Sequence, residues 1–137
     1  MTGDAIVWFR NDLRLHDNVT LTEAIRRSGK VYPIYCFDPR HFADTELDLP
    51  KTGAHRAQFL LQSLQDLRDN LQKIGSDLII RRGLPEKIIP QLVEELAVTR
   101  VFASKEVTAE ELSVEKKLED NLVSQGIELD LIWQSTL

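Results

Sequence analysis

Short apolar runs alternate along this chain with longer stretches of mixed polarity, and the two kinds of segment have different periods. The short runs mostly lack the strict alternation of a half-exposed strand, as is typical of strands covered on both faces of a sheet. They lie at Ala5–Phe9, Val31–Phe37, 78–82, Arg100–Ser104 and 128–133. The pattern therefore predicts five β-strands. Trp8 and Trp133 fall within these runs and are predicted to be core residues.

The stretches between the runs have apolar residues at spacings of three and four, the period of an amphipathic helix. The four predicted stripes are Leu21, Ala24 and Ile25; Leu60, Leu64, Leu67, Leu71 and Ile74; Ile88, Ile89, Leu92 and Leu96; and Leu112, Glu115, Leu118 and Leu122. Asp17 or Asn18 is the predicted cap of the first helix, and Thr108 with Glu111 forms a capping box for the fourth. Pro90 lies inside the third stripe and is predicted to kink or shorten that helix.

Alternating strands and helices with short connections predict an α/β fold, in which a doubly wound parallel sheet carries helices on both faces. For five strands the expected order is 3-2-1-4-5. All 137 residues are expected to form one domain. The link 38–53 is long for such a fold, which leaves a binding loop and a disordered excursion as alternatives.

Composition and charge narrow the function classes. Apolar residues make up 42% and charged residues 28% of the chain, which is an ordinary globular balance. The net charge of −5 argues against direct binding of nucleic acid by this chain. A single cysteine, Cys36, fits a reducing compartment, and the sequence shows neither a signal peptide nor a membrane-spanning run. A soluble cytoplasmic protein is expected.

The predicted topology places a candidate site at one edge of the sheet. Ligands of doubly wound sheets bind beyond the carboxyl ends of the strands where the strand order reverses, here between the first and fourth strands. The residues at those two ends are Arg10, Asn11, Lys105 and Glu106, with Cys36, Phe37 and Asp38 at the end of the neighbouring second strand. A shallow cleft lined by these polar groups, with Phe37 available for stacking, is expected.

Glu106 is the most specific candidate for a ligand contact among these residues. A carboxylate can accept two parallel hydrogen bonds from a planar donor pair, such as the amino and ring N–H groups of a pterin or purine. The alternatives are that Glu106 pairs with Lys105 or Arg10, or that it stabilises the N-terminus of the following helix. The residue pattern alone leaves these alternatives open.

Several motifs are absent from the sequence. No glycine-rich dinucleotide or phosphate loop follows the first strand. His16, His41 and His55 have no spacing that suggests a zinc site with Cys36. No serine or cysteine lies in a nucleophile elbow. The sequence therefore predicts neither catalytic residues nor a metal site in this chain.

Several segments resemble motifs of the photolyase and cryptochrome family. These are VWFRNDLRLHDN at 7–18, YCFDPR at 35–40, KTG at 51–53 with Arg56 and Phe59-Leu60, KEV at 105–107 with Glu110-Glu111, and IWQSTL at 132–137. They follow one another in the family's order over essentially the whole chain, and they are most similar to the DASH-type cryptochromes. One departure is Gln134, where the family pattern has glycine. That difference places the junction to a following domain in doubt.

The resemblance implies a Rossmann-like N-terminal domain that holds a light-harvesting antenna, in DASH-type members a methenyltetrahydrofolate. It also implies a helical domain with FAD, electron-transfer tryptophans and a DNA-binding face, which together split pyrimidine dimers. That helical domain is absent from residues 1–137, so this chain is not expected to repair DNA unaided. The expected partner is a FAD-bearing helical domain, in cis or in trans, and self-association is an alternative.

Residue by residue, the resemblance matches Glu106 to the carboxylate that holds the pterin amino edge. It matches five further residues to strand-end positions around the antenna cleft: Arg10, Asn11, Cys36, Phe37 and Asp38. The predicted strand order and the family resemblance therefore indicate the same edge of the sheet. The folate of the family lies between two domains, so weak binding is expected here. Two other functions stay open: a standalone Rossmann-like module for a protein or nucleotide, and an ATP-binding domain of similar topology.

Overall fold

A five-stranded parallel sheet forms the centre of the molecule. The computed structural model describes residues 3–10, 12–15, 18–38 and 50–133, and the side chains of 50–57 lie outside that description. The elements are β1 (Ala5–Phe9), α1 (Val19–Arg27), β2 (Val31–Phe37), α2 (Pro50–Lys73), β3 (Ile79–Arg82), α3 (Pro85–Leu96), β4 (Arg100–Ser104), α4 (Ala109–Ser124) and β5 (Glu128–Ile132). The strand order β3-β2-β1-β4-β5 confirms the prediction, and the reversal lies between β1 and β4.

Helices cover both faces of the sheet, and successive residues of β1 point to opposite sides. Ile6 and Trp8 pack with α3 and α4, whereas Val7 and Phe9 pack with α1 and α2. Both sets are buried. This burial on two sides explains why the strand sequences are apolar without strict alternation.

The helix ends largely follow the predicted punctuation. The Asn18 side chain accepts a hydrogen bond from the Leu21 amide and caps α1, while Asp17 lies outside the described residues. The Thr108 hydroxyl accepts a hydrogen bond from the Glu111 amide at 3.2 Å, which confirms the cap of α4. The helix α2 begins at Pro50, and proline is tolerated in a first turn. The link that was predicted to run from residue 38 to residue 53 therefore ends earlier, before residue 50. Residues 39–49 of this link lie outside the described residues.

Four residues that were predicted to lie in the core are exposed instead. They are Ile25, Ile74, Leu112 and Trp133. The buried residues of α1 are Thr20, Leu21 and Ala24, so Thr20 is buried and Ile25 is not. The Thr20 hydroxyl lies 2.7 Å from that of Ser104. Ile74 follows the last residue of α2 and Trp133 follows the last residue of β5. Leu112 belongs to the first turn of α4, which precedes the buried stripe of that helix.

The helix α3 continues through Pro90 to Leu96, so the predicted shortening at this proline does not occur. A proline inside a helix leaves the carbonyl four residues earlier without its N–H partner, here the carbonyl of Glu86. The Asn121 side chain of α4 donates a hydrogen bond to that carbonyl at 2.8 Å. Gln125 donates in the same way to the Pro90 carbonyl at 3.0 Å. The neighbouring helix therefore supplies the donor that the proline lacks.

Replacing Asn121 by Ala is expected to lower the free energy of unfolding by about 1–2 kcal/mol, because the Glu86 carbonyl loses its donor. In a Pro90→Ala background the loss should be smaller, since an alanine at that position would supply the missing N–H. Urea unfolding of the two single variants and the double variant measures the difference. Equal losses in both backgrounds would show that Asn121 stabilises the protein in another way.

Candidate functional site

The carboxyl ends of β1 and β4 lie side by side, because the two strands pair in parallel with Trp8 opposite Ala103. Arg10, Lys105 and Glu106 follow directly at these ends. The structure thus brings together three of the predicted site residues, and Asn11 lies outside the described residues. Each of the three contacts a fourth residue that the sequence did not suggest for the site, Glu115 of α4.

Glu115 is the centre of a polar cluster on the α4 side of the sheet. Its Oε2 atom lies 2.6 Å from Nη1 of Arg10, and its Oε1 atom lies 2.6 Å from Nζ of Lys105. The Glu106 amide donates to Oε2 at 3.0 Å. The Glu115 side chain is only 4% exposed, so this carboxylate is buried among two cations and one backbone donor. Buried charges are tolerated in proteins when they are paired in this way.

The same contacts set the acidity of Glu115. Burial alone would raise the pKa of this carboxyl group, but the hydrogen bonds from Lys105, the Glu106 amide and Arg10 outweigh it. The pKa therefore lies below its ordinary value of 4.5, and Glu115 is an anion at neutral pH.

Arg10 is held from several directions. Its guanidinium donates to the carbonyls of Ser104 and Glu111, each at 3.3 Å, in addition to the bond with Glu115. It also lies over the ring of Trp8, with 4.6 Å between the guanidinium carbon and the ring centroid. The side chain is 6% exposed. Arg10 therefore ties β1, β4 and α4 together at the edge of the sheet.

A second polar cluster lies on the α1 side of the same edge. The Asp12 carboxylate accepts hydrogen bonds from the Arg10 amide at 2.9 Å and from the Ser104 hydroxyl at 2.6 Å. Ser104 also contacts the Thr20 hydroxyl, and Asn18 donates to the carbonyls of Asp12 and Arg14. All four residues that form the cluster (Asp12, Asn18, Thr20 and Ser104) are buried. This cluster fixes the start of the segment that joins β1 to α1.

The end of β2 offers one aromatic surface and two buried groups. Phe37 is half-buried, and its ring meets that of Tyr35 edge-on with 5.4 Å between centroids. Cys36 and Asp38 are both buried. Burial raises the pKa of the Cys36 thiol to about 12, and the charge of Asp38 contributes further. At neutral pH Cys36 is a neutral thiol within the core beside α3.

Two sequence signals for the missed residue, Glu115, and for its pairing with Arg10 existed. Glu115 occupies the same buried stripe of α4 as Leu118 and Leu122, and a carboxylate in such a stripe requires a cation. Arg10 follows Ile6 and Trp8 at a period of two, which directs it toward the same side of the sheet. Combining the two periods would have predicted their ion pair.

The described residues contain no group of three or more His, Cys, Asp or Glu side chains that could hold a metal ion. Within the same part of the chain, no helix is long and apolar enough to span a bilayer.

Comparison with known proteins gives one family. The family model for DNA photolyase matches residues 5–137. A cryptochrome DASH from Gloeobacter violaceus is 46% identical over 136 residues, which are 99% of this chain and 27% of that protein. The blue-light photoreceptor PHR2 of Arabidopsis thaliana is 44% identical, over 97% of this chain and 30% of that protein.

Solved structures agree with the sequence comparison. A cryptochrome from Synechocystis superposes with a TM-score of 0.91 at 45% identity, and the match covers 98% of this chain and 28% of that one. An archaeal photolyase from Sulfolobus tokodaii, whose crystal structure is described as holding two FAD molecules, superposes with a TM-score of 0.84 at 29% identity. The match covers 95% of this chain and 29% of the archaeal one. This chain thus spans less than a third of the length of these relatives.

Proposed function

This chain belongs to the DNA photolyase family, and from that premise we propose that it is an antenna-binding domain that holds a folate chromophore at the carboxyl edge of its sheet. The observation that carries the proposal is the position of Glu106. It follows β4 beside the point where the strand order reverses, and its amide is bound to a buried carboxylate. Such edges are the usual ligand sites of doubly wound sheets.

The chemistry of the edge fits the pterin part of a folate. Glu106 is half-buried, so its carboxylate can accept from the amino and ring N–H groups of a pterin. Phe37 ends β2, two strands from β4, which corresponds to roughly 10 Å at ordinary strand spacing. Its half-buried ring packs toward α1 and α2, and in this proposal the accessible part of the ring contacts the ligand. The chromophore itself would supply absorption of near-ultraviolet light, and the protein would supply its position and orientation.

The other predicted site residues take supporting positions in this proposal. Arg10 and Lys105 hold Glu115. Cys36 within β2 and Asp38 just after it are both buried. Lys105 is the more exposed of the two cations, with 25% of its side chain accessible, so it can also face an anionic part of the ligand. Asn11 remains a proposed ligand contact, on its position after the first strand and on the family resemblance.

The partner in this proposal is a FAD-bearing helical domain, in cis or in trans, on which the photochemistry with pyrimidine dimers would take place. The chain spans less than a third of its relatives, which leaves room for such a domain in proteins of this kind. Val107, Leu112 and Trp133 add support, because these exposed apolar side chains follow β4 and β5 or begin α4. All three belong to the carboxyl edge of the sheet, where a second domain would face the chromophore.

Titration of the purified chain with methenyltetrahydrofolate, followed by near-ultraviolet absorption, tests the proposal. Saturable binding is expected, and Glu106→Gln should weaken it roughly 100-fold, because one acceptor becomes a donor that opposes a pterin N–H. Glu110→Gln is the matched control, since Glu110 is an exposed carboxylate of the same region. ATP at the same concentration is the control ligand.

Two results would count against a folate site at this edge. One is the absence of any saturable binding to the wild-type chain, and the other is equal affinity in the wild type and in Glu106→Gln. If the wild-type chain binds ATP and Glu106→Gln does not, the result favours a nucleotide site at the same edge.

A further inference from the structure

Glu115 contacts three groups from the two segments that meet at the candidate site, the residue after β1 and the connection after β4. Its two carboxylate oxygens bind the Arg10 guanidinium, the Lys105 ammonium group and the Glu106 amide, at 2.6, 2.6 and 3.0 Å. The amide belongs to the residue whose side chain is the proposed ligand contact. Glu115 therefore acts on the backbone of Glu106 directly, from α4, the helix that follows the connection after β4.

The surroundings of Glu115 limit how far it can move. The carboxylate is nine-tenths buried, and α4 is anchored to the sheet by Leu118 and Leu122, both fully buried. Arg10 is in turn fixed by the carbonyls of Ser104 and Glu111 and by the ring of Trp8. A group held on all sides in this way can serve as a rigid support for the residue that it binds.

We propose that Glu115 is a positioning residue, which sets the direction of the Glu106 carboxylate toward a bound pterin without touching the ligand itself. This inference rests on the proposed folate site. Two contacts give it a physical basis. The bond to the Glu106 amide fixes the backbone from which the Glu106 side chain extends. The bonds to Arg10 and Lys105 direct both cations toward α4, and Lys105 is the immediate neighbour of Glu106 in sequence.

Loss of the negative charge at position 115 therefore has a specific consequence. In Glu115→Gln the amide side chain keeps the size of the carboxylate and one acceptor oxygen, but it no longer neutralises two cations. Lys105 then becomes free to turn toward other carboxylates, including its neighbour Glu106, and the Glu106 amide is held by a weaker acceptor.

Methenyltetrahydrofolate is the probe for the test, used with the whole chain and its variants. Glu115→Gln is expected to weaken folate binding about tenfold, and Asp130→Asn is expected to leave it unchanged. Asp130 is the matched control because it is a half-buried carboxylate between two arginines, Arg27 at 3.6 Å and Arg100 at 3.4 Å, within β5. Equal affinity of Glu115→Gln and the wild type would overturn the inference and leave the folate site standing.

A double-mutant cycle separates positioning from a general loss of stability. If Glu115 acts through Glu106, Glu115→Gln should weaken binding far less in a Glu106→Gln background than in the wild type. Fully additive losses would overturn the positioning role, because they would show that the two residues affect binding independently.

Hydrogen exchange of the Glu106 amide provides a readout that needs no ligand. Relative to the wild type, Glu115→Gln should accelerate this exchange at least about tenfold more than Asp130→Asn does. Unchanged exchange would contradict the support that Glu115 is proposed to give. If the wild-type chain binds no folate, or binds it independently of Glu106, the folate site and the positioning role both fail. If it binds folate through Glu106 but Glu115→Gln has no effect, only the positioning role fails.

Discussion

Replacing Glu115 by Ala is expected to lower the free energy of unfolding by about 3–5 kcal/mol, the largest stability effect of any single polar substitution that we predict. The Arg10 side chain is 6% exposed in the wild type, and the variant removes the carboxylate that pairs with its guanidinium. It also removes the acceptor of the Glu106 amide and the partner of Lys105. Breaking one side of a buried ion pair costs far more than breaking an exposed one, because the remaining charge is not hydrated.

Urea unfolding at neutral pH measures this effect, and Glu128→Ala is its control. Glu128 pairs with Arg100 at 3.1 Å but is 61% exposed, so its loss should cost at most about 1 kcal/mol. A loss below 1 kcal/mol in Glu115→Ala would show that the cluster is hydrated in solution.

The same residue makes stability depend on pH in a defined direction. The pKa of Glu115 is lower in the folded protein than its ordinary value of 4.5, so its charge stabilises the fold above that pH. This contribution is lost as the pH falls below 4.5 and through the folded-state pKa. The stability difference between the wild type and Glu115→Gln should therefore shrink on acidification, and a constant difference between pH 7 and pH 3 would contradict the assigned ion pairs.

Replacing Asp12 by Ala is expected to have the second-largest effect, a loss of about 2–3 kcal/mol. The Asp12 carboxylate accepts from the Arg10 amide and from the Ser104 hydroxyl, so it connects the ends of β1 and β4 on the α1 side. Its oxygen also lies 3.4 Å from the Asn18 side-chain nitrogen. Without it, the half-buried Arg10 amide and the buried Ser104 hydroxyl each lose an acceptor.

Unfolding of Asp12→Ala, Ser104→Ala and the double variant measures this contribution. The two residues share one hydrogen bond of 2.6 Å, so the double variant should lose less than the sum of the single losses. Asp66→Ala is the control, because that exposed carboxylate of α2 contacts only Gln62 among the hydrogen bonds described for it. Additive losses would mean that Asp12 and Ser104 stabilise the protein separately.

The main features of the fold were predictable because strand and helix periods are strong, local signals. Runs without strict alternation indicated strands buried on both sides, and the structure places Ile6 and Val7 in two different cores. The reversal between β1 and β4 followed from the strand order, and it directed attention to Arg10, Lys105 and Glu106. Helix caps at Asn18 and Thr108 depend on neighbouring residues only, which is why the sequence reveals them.

The contacts that hold the site together were harder to predict because they join distant parts of the chain. Arg10 and Glu115 are 105 residues apart, and Asp12 and Ser104 are 92 apart. The predicted shortening of α3 at Pro90 did not occur for the same reason, since the compensating donor, Asn121, comes from another helix. Local propensity describes the segment alone, whereas these donors and acceptors are supplied by its neighbours in space.

Chemical-shift mapping of the folate site by NMR is the most direct test of the account. Adding methenyltetrahydrofolate to the labelled chain should shift the amide signals of Phe37, Lys105 and Glu106 most, and amides at the opposite edge of the sheet, such as Ala5 and Val31, should remain in place. The shifts should disappear in Glu106→Gln at the same folate concentration. Shifts concentrated at the opposite edge, or equal shifts in the wild type and Glu106→Gln, would contradict a folate site held by Glu106.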